Sequence, residues 1–411
     1  MKRIALVFLA VALVATAATP PKKHPVRRKP VPVRISPAAR LAARQEIDNR
    51  IAAINTGIEN PQALASFYEA LKQTQNGGPP VHILQFGDSH TASDDWVNAM
   101  RTALQSRYGD GGPGFVHAGR PFRGYRRYDA LGNQSAGWKT EGVMALRGSE
   151  NQGLSGLSIT AQTAGQTVTL KASGTLLEIF YQQQPGGGAF DLQIDNGATG
   201  TIETEGAAAP GIFSRALTPG MHNITLRTLN RAPVRLFGFT LDNTGGVTFE
   251  TLGINGAQAH AILGWNASEF AALAARRDSA LVIVAYGTNE ANSHLWTPAQ
   301  YRADLTAVIA RIRTAAPDAS ILLIGPPDCG NPRPLLHLTE VIDVQRELAS
   351  QLNLAFWDWR LHMGGPGIVK RWVTAGLSQG DYIHLTGEGY RIIGDMIFAQ
   401  LDLHEQTTEN H

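Results

Sequence analysis

The sequence predicts an α/β fold with a parallel sheet, interrupted by an inserted β-sandwich, and three observations carry that prediction. Short apolar runs of strand length end in Gly-containing turns and lead into helical stretches, at residues 81–108 and again at 281–316. Between about Phe122 and Asn243 the texture changes to short alternating runs separated by Gly, Pro and Asn turns, without helical periodicity. After Asn243 the strand-then-helix texture returns. One α/β domain, residues 37–121 and 246–405, split by a guest at 122–245, is the simplest arrangement. Insertion into a loop is cheap when the guest's termini lie close together.

Lys2 and Arg3 open the chain and precede an apolar run, 4–18, that ends in small residues. The pattern is that of a secretory signal peptide, 1–18, too short for a stable membrane span, and no cysteine follows it to carry a lipid. It implies export, to the periplasm or beyond, with no integral membrane segment after cleavage. Residues 19–36 are rich in Pro, Lys and Arg and read as an extended linker. Residues 1–36 hold 8 of the 36 Lys and Arg and no Asp or Glu; the other 28 basic residues face 34 acidic ones, a net of −6. A mildly acidic folded part argues against nucleic acid as a partner.

Residues 37–72 read as helix broken near Pro61. A buried strand is expected at 81–86, a tight turn at 87–89 and a helix at 91–108. Alternating strands follow at 167–171, 175–181, 223–227 and 234–241. Residues 281–286 and 321–324 are apolar runs of buried-strand type, joined by a crossover helix at 298–316. Further helices are expected at 338–352 and 390–403.

Ser89 follows the first buried strand and precedes a helix, which puts its hydroxyl at the C-terminal edge of the sheet, where open α/β folds hold ligands. The helix N-terminus beside it favours developing negative charge. Taken alone, Gly87-Asp88-Ser89 is equally a strand-to-helix turn with Asp or Ser as N-cap. Far downstream, Asp381 and His384 are three apart in a loop, a spacing at which a carboxylate can orient one ring nitrogen while the other faces a nucleophile. That pair is also readable as an N-cap with an incidental histidine. Gly287-Thr288-Asn289 repeats the strand-end layout, and an Asn amide there can donate to an oxyanion. Gly256 offers a backbone N–H for the same purpose, or is a plain turn glycine.

Together, Gly87-Asp88-Ser89, Gly256, Gly287-Thr288-Asn289 and Asp381-x-x-His384 resemble the four ordered blocks of the SGNH (GDSL-type) hydrolases. The resemblance covers residues 80–110 and 246–400. It implies an SGNH-hydrolase-like three-layer fold, a Ser89–His384–Asp381 triad, and an oxyanion hole made by Ser89, Gly256 and Asn289. A finer resemblance is to peptidoglycan O-acetylesterases of the Ape type. It rests on the extended block Gly87-Asp88-Ser89-His90-Thr91-Ala92, on the Gly-rich run at 108–115, and on the inserted β-domain, which in those enzymes is carbohydrate-binding-module-like. It implies an O-acetylated glycan as substrate, with muramyl O-acetyl groups as the target. An O-acetyltransferase, another polysaccharide acetylesterase and a non-catalytic glycan-binding protein stay open as alternatives.

No cofactor is implied, and no His, Asp and Glu cluster has the spacing of a metal site. The Gly-rich run lacks the Gly-Lys-Ser/Thr ending of a phosphate loop. Cys329, the single cysteine, has no charged neighbour arranged to activate it and is expected to be structural. His82, His90 and His294 need no special role, and core packing is the default for the scattered tryptophans.

Overall fold

Alternation along the central strand decides the layering. In Val81–Gly87, Val81 and Ile83 enter one core while Leu84 and Phe86 enter another, as the two-residue period of an extended chain requires. Leu281 and Ile283 of the neighbouring Leu281–Ala285 repeat the first pattern, and Val282 and Val284 the second. Both faces of the sheet are therefore covered, which is why its strands read as continuous apolar runs.

This computed structural model describes residues 35–142, 152–330 and 335–409. The expected signal peptide, 1–18, and nearly all of the 19–36 linker lie outside the described residues. Residues 37–411 form one compact unit.

The parallel sheet has the order Val247–Gly253, Val81–Gly87, Leu281–Ala285, Ser320–Ile324, Ala355–Trp357. Helices Ala267–Arg277, Pro298–Ala315 and Leu338–Gln351 cover one face. Pro37–Ala52, Ala65–Gln75, Asp95–Tyr108 and Gly387–Glu409 cover the other. The first strand in sequence sits between the second and the third, so the topological switch lies at the C-terminal end of Val81–Gly87.

The β-sandwich packs a six-stranded sheet on a five-stranded one around a core that includes Val168, Leu170, Ile179, Leu226 and Phe239. Its larger sheet recruits Gly114–His117, which pairs antiparallel with Val234–Asp242. The sandwich thus begins several residues before the boundary at 122 that composition suggests.

Three other departures have local causes. The helix expected at 91–108 is two, Ser89–Ala92 and Asp95–Tyr108, because Asp94 adopts a left-handed conformation (φ 59) with its carboxylate buried against Arg101. The last helix starts at Gly387, before the expected 390. Val247–Gly253 carries Thr248 and Glu250 in a fully buried strand, which hides it from a search for apolar runs. Glu250 is tolerated there because the buried Arg277 donates to it at 2.5 Å, while also donating to Asp242 of the sandwich at 2.7 Å.

Candidate active site

Three strand ends are in register at the switch point: Gly87 pairs with Gly253 on one side and with Ala285 on the other. Ser89, Gly256 and Asn289 lie in the turns that leave these three ends. Register alone therefore gathers three of the candidate residues at one edge. The Ile254 N–H donates to the Gly87 carbonyl at 2.9 Å, which fastens the Gly256 turn to the strand that carries Ser89.

Ser89 opens its short helix because Asp88, extended at φ −93, caps it by accepting the His90 N–H at 2.9 Å. The N-cap reading and the nucleophile reading of Gly87-Asp88-Ser89 are thus compatible: Asp88 is the cap, and Ser89 is left half-buried with its hydroxyl free to point outward. Ser89 Oγ lies 2.9 Å from His384 Nε2, and His384 Nδ1 lies 2.7 Å from Asp381 Oδ2. The hydroxyl, imidazole and carboxylate form one hydrogen-bonded line, the arrangement in which a histidine can take a serine proton.

The 378–385 loop that presents this pair is closed on itself. The Gln379 N–H donates to the His384 carbonyl at 2.8 Å, and the Gln379 amide to the Leu385 carbonyl at 3.1 Å. Between the two candidate residues, Tyr382 sits at φ 59, a conformation that costs free energy for a non-glycine residue. Its carbonyl accepts from the Gly330 N–H at 2.9 Å. Partial burial alone raises the pKa of Asp381, but hydrogen bonds from the His384 ring and from the Ile383 and His384 N–H groups outweigh it and hold the carboxyl below its ordinary range.

Asn289 donates one amide hydrogen to the Ala257 carbonyl at 2.9 Å, leaving its second for a ligand. Gly256, at φ 75, occupies the turn closed by Ala257 N–H to Ile254 carbonyl at 3.1 Å. Two more bonds clamp this turn to the Asn289 helix: Gln258 donates to the Asn289 carbonyl at 3.1 Å, and the Ala259 N–H donates to Glu290 at 2.7 Å. The fold brings Gly256 and Asn289 together through Ala257.

Four further residues, Asp88, His90, Glu290 and Tyr390, surround the site. Burial pushes the Asp88 carboxyl up to about 6, against the His90 N–H and the charge of His384. Burial likewise pushes Glu290 up to about 7. His90 is buried, bonds the Tyr390 hydroxyl at 2.8 Å through Nδ1, and lies with its ring 5.3 Å from that of His384. Burial, and then the charge of His384, lower its pKa to about 3, so His90 is a neutral wall behind the His384 ring. Position beside Ser89 and beside Asn289 was the available signal for three of them; Tyr390 had none. Cys329 is buried and burial pushes its thiol pKa far up, in keeping with a structural role. Among the described residues, no group of three or more His, Cys, Asp or Glu is placed to hold a metal ion, and no helix is long and apolar enough to cross a membrane.

A GDSL-like lipase/acylhydrolase family model matches residues 214–392, a span that takes in Gly256, Asn289, Asp381 and His384 and leaves Ser89 upstream of the sandwich. The structure is similar to that of a peptidoglycan O-acetylesterase, with 27% identity and a TM-score of 0.72, over 83% of this chain and 96% of that one. Family-two carbohydrate esterases also match, one from Cellvibrio japonicus (13% identity, TM-score 0.29, 67% of this chain and 98% of that one). Another is from Clostridium thermocellum (12% identity, TM-score 0.30, 60% and 94%). No curated protein matches the chain. The fold is thus that of the SGNH hydrolases, and the chain is similar to the GDSL-like lipase/acylhydrolase family over residues 214–392 and to a peptidoglycan O-acetylesterase over most of its length.

Proposed function

We propose that the protein removes O-acetyl groups from cell-wall peptidoglycan, at the muramyl residue, through an acetyl-enzyme on Ser89. The observation that carries this reading is the Ser89–His384–Asp381 line of hydrogen bonds, 2.9 and 2.7 Å, at the switch point of the parallel sheet. The likeness to a peptidoglycan O-acetylesterase supports the choice of polymer.

Ser89 Oγ attacks the acetyl carbonyl carbon as its proton passes to His384 Nε2. The oxyanion takes hydrogen bonds from the Ser89 and Gly256 N–H groups and from the second amide hydrogen of Asn289. When the C–O bond to the sugar breaks, the sugar oxygen leaves with the proton from His384, and acetyl-Ser89 remains. Water, giving its proton to His384, then attacks the acetyl carbon, and acetate departs as Ser89 recovers its proton. Asp381 holds the imidazole in orientation and balances its charge while it is protonated. In this reading residues 1–18 act as a signal peptide, a role that their basic start and apolar run support, the chemistry takes place in the periplasm or beyond it, and the sandwich holds the polymer or shapes the cleft.

Rapid acid quenching after mixing with p-nitrophenyl acetate, followed by mass spectrometry, tests the covalent step. An acetyl group on the peptide containing Ser89 is the expected result. A burst of nitrophenol without that modification contradicts the mechanism.

A further inference from the structure

On the flank of the candidate site lies a groove of about 670 Å³ between two helices. One wall is the face of Asp95–Tyr108 that presents Asn98, Thr102 and Ser106; the other is the start of Gly387–Glu409, which presents Arg391 and Asp395. Its lining includes Asp95, six residues after Ser89, and Gly387, three residues after His384, so the groove heads from the two elements that carry the hydrogen-bonded line. From Asp95 to Ser106 the helix rise gives a length of about 16 Å. Ala99 and Ala103 also line the groove, and such small side chains keep it open.

A seam between two helices is by itself ordinary. What distinguishes this one is the residue at its head. Tyr128 is 51% exposed yet held from several sides. Its hydroxyl donates to Asp95 at 2.5 Å, and the Arg126 guanidinium lies 5.4 Å from its ring centre. Its backbone N–H donates to Asp94 at 2.9 Å, and Asp94 is the buried, left-handed residue that also takes Arg101 at 2.6 Å and the Thr251 hydroxyl. On either side of Tyr128, Arg127 and Asp129 form a bidentate pair at 2.8 Å, and Arg127 also bonds the Phe115 and Pro113 carbonyls. A network of buried charge thus fixes an exposed ring beside the Ser89 helix. A ring already held in place loses little freedom when a ligand lies on it.

We infer that this groove holds the glycan strand running away from the residue acetylated at its ester. One face of a pyranose lies on the Tyr128 ring, and its hydroxyls meet Asp95, Asn98, Thr102, Asp395 and Arg391. An apolar platform ringed by a few amide, carboxylate, hydroxyl and guanidinium groups suits a sugar, which has apolar C–H faces and polar edges. The direction of the strand rests on the esterase reading above; the affinity for glycan does not.

The test uses the full chain with Ser89→Ala, titrated by calorimetry with chitohexaose, which carries no peptide. Binding is expected, and Tyr128→Ala in the same background is expected to weaken it at least tenfold. Ala103→Trp, which fills the groove without touching the Tyr128 network, is expected to do the same. Tyr128→Phe, which keeps the ring, retains most of the affinity. In the active protein, Tyr128→Ala lowers the ratio of kcat/KM on O-acetylated peptidoglycan to kcat/KM on p-nitrophenyl acetate at least tenfold. Absence of chitohexaose binding, binding only of peptide-bearing fragments, insensitivity to both Tyr128→Ala and Ala103→Trp, or an equal fall on both esters would each overturn the inference. Failure of the unaltered protein to release acetate from any glycan sinks the esterase reading instead, and the titration still decides the groove.

Discussion

Ser89 and His384 are 295 positions apart and meet at 2.9 Å only because the strand ends and the 378–385 loop converge. At the residue scale the site separates groups that act on charge from groups that hold them. Asn289 gives one amide hydrogen to Ala257; with the other as the proposed oxyanion donor, Asn289→Ala removes a transition-state donor and loosens the Gly256 turn. Steady-state kinetics on p-nitrophenyl acetate are expected to show kcat lower by about 10²–10³-fold, with a much smaller change in KM. A rise in KM alone would assign Asn289 to ground-state binding. Asp88 supplies a pH-dependent prediction. Its folded pKa of about 6 lies above the ordinary 3.8, so the folded protein keeps the proton longer than the unfolded chain does. Stability from this group is full below about pH 4 and is lost as pH rises to 6. Asp88→Asn keeps an acceptor for the cap and removes the titration. The stability of the variant relative to the unaltered protein is expected to grow by roughly 2–3 kcal/mol between pH 4 and pH 7.5, measured by denaturant titration. A difference that stays flat with pH contradicts the buried, proton-retaining carboxyl. That Ser89, Asp381, His384, Gly256 and Asn289 would converge was legible in residue type, order and strand-end placement; the roles proposed for them rest on that convergence. The perturbed acids could not, because a sequence does not report which carboxyl is cut off from water.

At the scale of elements, the turn after Leu281–Ala285 shows how backbone shape delivers a side chain. Gly287 has φ 135, and a Cβ there would lie 2.7 Å from the Pro326 ring. Gly287→Ala is expected to cost about 1–3 kcal/mol in a denaturant melt and to lower kcat further by displacing Asn289. Unchanged stability and activity would mean that the turn relaxes freely and that its shape does not position the amide. The parallel strands at 81–87, 281–285 and 320–324 were legible because both faces are buried and the runs are apolar throughout. Val247–Gly253 was not, since Thr248 and Glu250 interrupt it and Arg277, which makes Glu250 tolerable, lies far along the chain. The break at Asp94 escaped notice for a similar reason: a left-handed aspartate is stable there through Arg101 and Thr251, which no local pattern announces.

For the whole molecule, the sandwich and the parallel sheet share structure. Gly114–His117 crosses into the larger sandwich sheet, and Val234–Asp242 runs on through a short turn to Val247–Gly253. Arg277 ties Asp242 to Glu250 out of contact with water. Residues 37–411 are therefore expected to unfold in one calorimetric transition. Arg277→Ala, which strands two buried carboxylates, is expected to lower stability by about 3–5 kcal/mol. Two separated transitions in the unaltered protein would show that the sandwich is an independent guest. Gly114–His117, which pairs into the larger sandwich sheet, is not legible in composition, because it is short and sits inside a Gly-rich run.

The central claim is that Ser89 opens an acetyl ester on peptidoglycan, and acetate release from purified O-acetylated peptidoglycan tests it most directly. Steady release is expected from the protein lacking residues 1–18, with a fall of about 10⁴-fold or more in Ser89→Ala. Release that survives in Ser89→Ala, or its absence from peptidoglycan alongside turnover of p-nitrophenyl acetate, would contradict the nucleophile in the first case and the substrate in the second.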